Sequence, residues 1–317
     1  MQLTPDTDVL EKIDDIAQAL RASVDERDRD NTFARAEFFE LGARGVFRLA
    51  LGEDRGSLDR LCALIHGLAL RSSDLGFVAS LCAHLCAIFA LREFGHRSTR
   101  GLLESLVAGD SLGAIANSEP NAGTDLMGLQ TSSRRQGHAF ILDGTKWSVT
   151  NVSEAEVILV SATARAERAQ RPIDHFVVES SISGVKTSRI DDLIGLRTSV
   201  TGNLTLSNAC VSEHARLGSE GDGVTIFQHQ FDHERLLTAT LYLGALDTAL
   251  ERGVQRAQQR EQFGKPIIEN QYIQQVLVDA RIARELLAAQ LRAILSGWDN
   301  GSVTRRGSLS ILKLHGL

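Results

Sequence analysis

The chain has 317 residues, of which 43% are hydrophobic and 23% charged, and carries a net charge of −6. This composition excludes a disordered chain, a collagen and a coiled coil, and the acidic balance argues against a nucleic-acid footprint. Four cysteines (Cys62, Cys82, Cys86 and Cys210) are too few for a disulfide scaffold in a chain this long, so a reducing, cytoplasmic compartment is expected.

No basic and apolar signal segment opens the chain. Val9, Leu10, Ile13, Ile16, Ala17 and Leu20 recur at helical spacing, with Asp8 and Glu11 placed as a cap and its partner. Further helical periodicities cover 33–41, 58–70, 76–94 and 99–107, punctuated by the polar cluster at 25–31 and the glycines at 52–56. The longest apolar run, 76–91, is shorter than the ~18 residues of a membrane span and reads as a buried helix.

From Ser111 the pattern changes to short apolar runs between polar clusters, at 112–116, 139–142, 157–160, 175–178, 184–188 and 203–206. Asp143-Gly144 predicts a hairpin turn, and the whole stretch reads as an antiparallel β domain. After Gly223 helices return over 224–259 and 268–296, with another starting near Ser302. The expected fold class is α+β and multi-domain: a helical N-terminal domain over 1–111, a middle β domain over 112–220, and an incomplete helical bundle over 221–317.

Three segments stand out. Asn117-Ser118-Glu119-Pro120-Asn121-Ala122-Gly123-Thr124-Asp125 follows a predicted strand and is dense in turn formers and hydroxyls that can approach an anion or a planar polar ring. Gly144-Thr145-Lys146-Trp147-Ser148-Val149-Thr150-Asn151 reads by itself as a strand after a turn. Arg260-Glu261-Gln262-Phe263-Gly264-Lys265-Pro266-Ile267, with Gln271 beyond, reads as a connector between two long helices. In this order, within an α–β–α chain, the three segments resemble the motifs of the acyl-CoA dehydrogenase family. Ile194-Gly195-Leu196-Arg197-Thr198-Ser199 matches a further family segment.

The resemblance implies a non-covalent FAD enzyme. Ile115 and Asn117 would offer backbone groups to the flavin and Ser118 its hydroxyl. Gly123 and Ser148 complete the cofactor set on that side, and Thr150 would hydrogen-bond near the hydride-accepting atom. Thr124 would sit near the diphosphate and the thioester. Arg260, Gln262, Phe263 and Gln271 would hold the FAD of a neighbouring subunit, which implies a homodimer or homotetramer. Asp232 and Arg235 would lie near the thioester tail of the substrate. The implied reaction is α,β-dehydrogenation of an acyl thioester, carried by coenzyme A or a carrier protein, with electrons leaving to an electron-transfer flavoprotein or similar acceptor. The alternatives are a flavin-dependent monooxygenase or oxidase on the same fold, and a non-catalytic relative. No nucleic acid, membrane span or metal is implied.

The sequence departs from the family pattern in three places. The family's aromatic residue two positions after the lysine is Ser148 here. Trp147 comes one residue early, where strand alternation would turn it to the opposite face. The N-terminal domain lacks the family's Pro-x-x-x-Gly-Gly turn. Family members also run further, through a segment carrying the usual catalytic glutamate. The remaining candidate base is Glu234. It lies three residues after Phe231, seven after Phe227 and four before Thr238, on a largely apolar stripe where desolvation would favour a general base. Its position matches the one used by the isovaleryl- and long-chain-type branches of the family. Cys82 and Cys86 read as core packing, and His229 and His233 as helix-surface residues without a third ligand.

Overall fold

The computed structural model describes residues 11, 13–52, 56–164, 172–298 and 303–315. Eight helices are described: α1 Asp14–Asp30, α2 Arg35–Ala43, α3 Ser57–Ser72, α4 Leu75–Phe94, α5 Arg100–Ala108, α6 Gly223–Gln259, α7 Gln271–Ser296 and α8 Val303–His315. Between α5 and α6 lies a sheet of β1 Gly113–Ala116, β2 Ser132–Gln136, β3 Ala139–Val149, β4 Val157–Ala164, β5 Ile173–Glu179, β6 Val185–Arg189, β7 Gly202–Ser212 and β8 Arg216–Leu217. A small hairpin, β9 Glu261–Gln262 with β10 Lys265–Pro266, joins α6 to α7.

The proposed cap at Asp8 lies outside the described residues. The polar cluster at 25–31 does not end the first helix early: α1 runs through it to Asp30 and stops where Asn31 turns left-handed. The cluster is tolerated because Asp25, Glu26, Asp28 and Arg29 all lie on the exposed side.

Strand order is β6-β7-β3-β2-β4-β5-β8, with β1 also paired to β4. The sheet is mixed rather than antiparallel throughout, because β1 and β2 both run parallel to β4. β4 therefore sits inside the sheet, and seven of its eight residues are buried. Its side chains alternate between two cores. Val157 and Leu159 join the helices, while Ile158, Val160 and Ala162 fill the far side of the sheet.

Asp143-Gly144 is not a hairpin turn. β3 runs straight through it for eleven residues with a register irregularity at that point, and the real turn is at Gly137-His138. The reason is a close approach: a Cβ on Gly144 would lie 2.5 Å from Thr131 Oγ1. Asp143 uses its carboxylate to accept from the Asn208 amide at 2.7 Å instead of closing a turn.

The apolar helix α4 has the length and composition of a membrane span, but it is mostly buried within the protein. It packs on α6 and β1. Cys62, Cys82 and Cys86 are all in this core, and Cys210 is exposed. His233, expected on a helix surface, is also buried, with its ring stacked on Phe89 at 4.1 Å and 4.4 Å from His229. The length of α6 explains this, since its middle is enclosed by α4 and by the end of α7, where Trp298 meets the same histidine.

The helices meet the middle region closely at two glycines, one against the turn before β7 and one against β5. A Cβ on Gly76 of α4 would lie 2.2 Å from Thr198 Oγ1, and one on Gly223 of α6 would lie 2.2 Å from the Ile173 carbonyl. Beside Gly76, Asp74 caps α4 through the Phe77 amide and also accepts from Thr198 Oγ1 at 2.6 Å. Arg27 of α1 pairs with the same carboxylate at 2.6 Å.

Candidate active site

The first two motifs meet at a buried lysine. Lys146 on β3 is fully buried, yet each of its three ammonium protons finds an acceptor. They are the Asn117 carbonyl at 3.1 Å, Glu119 Oε1 at 2.8 Å and Ser161 Oγ at 3.0 Å. Burial pushes Lys146 down to about 8, with Glu119 pulling the other way. Burial also disfavours the Glu119 charge, but the bonds from Lys146, Thr131 and Gln130 outweigh it and hold this carboxyl below its ordinary value. Glu119 and its turn partner Ala122 also exchange backbone hydrogen bonds, which fixes the loop.

Around this anchor the small and hydroxyl residues face outward. Ser118, Gly123, Thr124 and Ser148 are exposed, and Thr150 is half-buried. A Cβ added at Gly123 would meet nothing within 4 Å. The Trp147 amide donates to the Ser118 carbonyl at 2.9 Å, so the two motif edges touch directly. Trp147 does not alternate away from Ser148. A register shift between Lys146 and Val149, with Ser148 at φ 53°, leaves both residues on the open side, and the indole is 49% exposed. Asn151 then pins the end of the strand, donating to the carbonyls of Ser80 and Gly113, each at 2.9 Å.

Ile115 leans toward the helical core, and its backbone lies opposite Leu159 in the β1–β4 pairing. The Asn117 carbonyl is engaged by Lys146. The Asn117 side-chain amide donates to Gln230 Oε1 at 2.9 Å, tying the first motif to α6.

One helical turn beyond Gln230 stands Glu234, half-buried. Its Oε1 accepts from Lys313 of α8 at 2.8 Å. It is also close enough to Cys82 and Cys86 of α4 to reinforce the upward push that burial gives both thiols. Glu234 therefore sits where α4, α6 and α8 converge. Asp232 is buried and faces two arginines, Arg235 at 3.8 Å and Arg306 of α8 at 3.7 Å. It thus ties α6 to α8, and Arg235 is half-buried beside it.

The third motif is elsewhere. Arg260, Gln262, Phe263 and Gln271 are all exposed. Glu234 and Gln259 lie on one uninterrupted helix, twenty-five residues and about 37 Å apart at ~1.5 Å per residue. One subunit cannot bring both ends to one small ligand. The Phe263 ring is fully exposed, and its backbone is left-handed at φ 54°.

An extended planar cofactor fits this surface. Exposed hydroxyls, an open cradle at Gly123 and a half-exposed indole line one edge. An arginine without an ion-pair partner among the described residues and a bare phenyl ring stand ready on the hairpin. Sequence reasoning missed four residues that hold the site together: Glu119 and Lys146, which lie inside the quoted motifs, and Gln230 and Lys313, which lie on helices. Only Lys146 carried a local signal, because a charged residue in an otherwise alternating strand has to be paired if its side is buried.

The family model for the acyl-CoA dehydrogenase middle domain matches residues 114–209, and that for the C-terminal domain matches residues 221–316. A mitochondrial isovaleryl-CoA dehydrogenase of Arabidopsis thaliana is 32% identical over 87% of this chain and 69% of its own length. An L-prolyl-[peptidyl-carrier protein] dehydrogenase of Pseudomonas fluorescens is 30% identical over 90% of this chain and 76% of its own. The structure of butyryl-CoA dehydrogenase from Megasphaera elsdenii superposes with a TM-score of 0.91 at 27% identity, covering 100% of this chain and 84% of that one. The chain spans between 61% and 76% of the length of eight curated relatives that it matches. By these matches the chain belongs to the acyl-CoA dehydrogenase family of FAD-dependent oxidoreductases.

Proposed function

We propose that this protein oxidises an acyl thioester to its α,β-unsaturated product, with Glu234 as the base. The bond between Asn117 and Gln230 carries the reading, because it joins the first cofactor motif to α6 one turn from the candidate base. Ser118, Gly123, Thr124, Ser148 and Thr150 would line the flavin side, with Trp147 covering its edge. Lys146 and Glu119 hold those edges in register. Bound FAD would supply the acceptor for the β-hydrogen and its electron pair.

The α-proton of a thioester is weakly acidic, and its removal needs an ionised carboxylate close by. Lys313 donates to Glu234 Oε1 at 2.8 Å and ties this side chain to α8. Asp232 ties α6 to α8 by pairing with Arg306, so Asp232 and Glu234 are each matched by a cation of α8. Thr124 and Arg235 would contact the substrate near the thioester. Arg260, Gln262, Phe263 and Gln271 would reach the cofactor of a second subunit, which makes the protein a homo-oligomer. The carrier is coenzyme A or a carrier protein, and the electron acceptor is an electron-transfer flavoprotein or its like.

The test is anaerobic flavin reduction by a thioester in parent and Glu234→Gln proteins. Loss of a positioned base lowers the rate by ~10²–10⁴, while flavin binding is unchanged. Reduction at near-parental rate would rule Glu234 out.

A further inference from the structure

A second concavity lies apart from the three motifs. Its volume is about 970 Å³, within the ~300–1,000 Å³ typical of small-ligand sites. Three elements wall it: the turn between α4 and α5, strand β2, and the stretch from Glu213 to Ser219 around β8. Strand register builds its floor. Arg135 stands opposite Phe140 in the β2–β3 pairing, and Arg216 stands opposite Phe176 in the β5–β8 pairing. Residues directly opposite share a face, and the two phenyl rings pack 5.0 Å apart. Both guanidiniums therefore lie toward one ring, 6.0 Å and 5.5 Å from the centre of Phe140. This face is the one away from α4 and α6, since Phe140 and Phe176 belong to the core on the far side of the sheet. Ser161, which bonds Lys146, alternates with Val160 and Ala162 of that core and so points the other way. The sheet thus separates this groove from the corner where the first two motifs meet.

The charges of the groove do not balance. Arg97, Arg135 and Arg216 line it, and Glu213 is the one carboxylate among its lining residues. Glu213 is already divided, with one oxygen bonded by Arg135 at 2.8 Å and the other by His138 at 2.7 Å. The His138 bond holds its carboxyl below the ordinary value, and the charges of Arg135 and His214 push the same way. Arg216 meets Glu220 at a distant 3.7 Å. Arg97 has no hydrogen-bond or ion-pair partner among the described residues. The whole chain carries a charge of −6, so the groove is a local positive centre against the overall field. Two of its cations are fixed in advance, Arg135 by Glu213 and the Gly137 carbonyl, and Arg216 over Phe140. Guanidinium forks match phosphate oxygens in pairs, and cations on separate walls of a hollow suit a compact polyanion. We propose that this groove is a second anion site, which takes a ligand carrying two or more phosphate groups. Arg97, Arg135 and Arg216 would grip the phosphates. The ligand would then tie the α4–α5 turn to β2 and β8, reinforcing the bonds from His96 to the Gly218 carbonyl at 3.1 Å and from Ser98 to the His214 carbonyl at 3.4 Å.

Calorimetric titration of the FAD-saturated protein tests the proposal, because the cofactor's own diphosphate site is then filled. The probes are pyrophosphate, ADP and hexaglutamate. Pyrophosphate should bind at one site per chain, and more weakly as sodium chloride is raised. Arg97→Ala, a change at an exposed side chain, should lower its affinity by about ten- to a hundredfold, and Arg135→Gln should do the same. ADP binding tighter than pyrophosphate would support the site and identify a nucleotide; equal binding would support it with the phosphates alone recognised. Binding of neither compound, or binding that both variants leave unchanged, would overturn it. Hexaglutamate binding tighter than either would overturn it in favour of an acidic protein partner. Flavin reduction by a thioester reads the Glu234 assignment separately, so the failure of one leaves the other standing.

Discussion

The corner where the first two motifs meet and the hairpin of the third are built on opposite plans. At the corner the charges are buried and satisfied by one another: Lys146 bonds three acceptors, and Glu119 collects two backbone amides besides the lysine. On the hairpin, Arg260, Gln262 and Phe263 are exposed, and the Gln262 side chain donates to its neighbour's carbonyl. The first plan fixes a surface in one shape before any ligand arrives. The second leaves polar and aromatic groups exposed on the surface of the subunit, where the proposed role is to act on something outside it. A cofactor shared between subunits would use both plans at once.

The sharpest way to break the contrast is to remove the buried cation. Lys146→Met leaves Glu119 buried and uncompensated, which costs about 3–5 kcal/mol in a urea titration at neutral pH. The sign of the pH dependence follows from Glu119. Its folded pKa is held below the ordinary 4.5, so in the parent its stabilisation is present above that value and is lost as pH falls through the lower folded one. In Lys146→Met the carboxyl no longer has its cation and takes a proton more readily. The gap between variant and parent should therefore narrow in acid; a gap that stays constant from pH 7 to pH 4 would deny the ion pair its role.

Arg260→Ala addresses the other plan. It should leave the unfolding curve within experimental error, because the side chain has no ion-pair partner among the described residues. If the hairpin grips a neighbour's diphosphate, the loss of a charge-assisted contact worth about 1.5–3 kcal/mol lowers FAD affinity by about one to two decades. Equilibrium dialysis of FAD measures this, and unchanged affinity would return the hairpin to the status of a connector.

Thr150→Val is the mildest probe. It keeps the β-branched shape at the end of β3 and removes one hydroxyl. Stability should move by less than about 0.5 kcal/mol, while the bound flavin's reduction potential shifts. An unchanged potential would make Thr150 a strand residue and nothing more.

The helices and the family motifs were legible because each has a local signature: a 3.6-residue apolar period, or a run of turn formers with hydroxyls. The misreadings came from contacts that have none. Asp143-Gly144 has the chemistry of a turn, but Thr131, just before β2, crowds it and the chain runs on. The alternation at Trp147 and Ser148 failed for a similar reason, since the bulge is set by pairing with β7. His233 looked like a surface histidine because the helix that carries it is polar in sequence. Its burial depends on α4 and on Trp298, which are distant in the chain. Gln230 and Lys313 were invisible as site residues, since nothing nearby in sequence says that one meets Asn117 and the other Glu234.

The two glycines where the helices meet the middle region bear on how the molecule comes apart. A methyl group at Gly223 would collide with the Ile173 backbone of β5, and one at Gly76 would collide with the Thr198 side chain in the segment before β7. Such contacts have no intermediate separation at which they are half made. Asp74, bonded at once to α1, α4 and the segment before β7, adds a polar lock at the same place. The sheet thus has no independent route to melting: opening it strips α4 and α6 of a wall, and loosening either helix exposes the sheet. Cooperativity across the whole chain, seen as one calorimetric transition and one plateau of slow amide exchange shared by β4, α4 and α6, is the behaviour this architecture imposes.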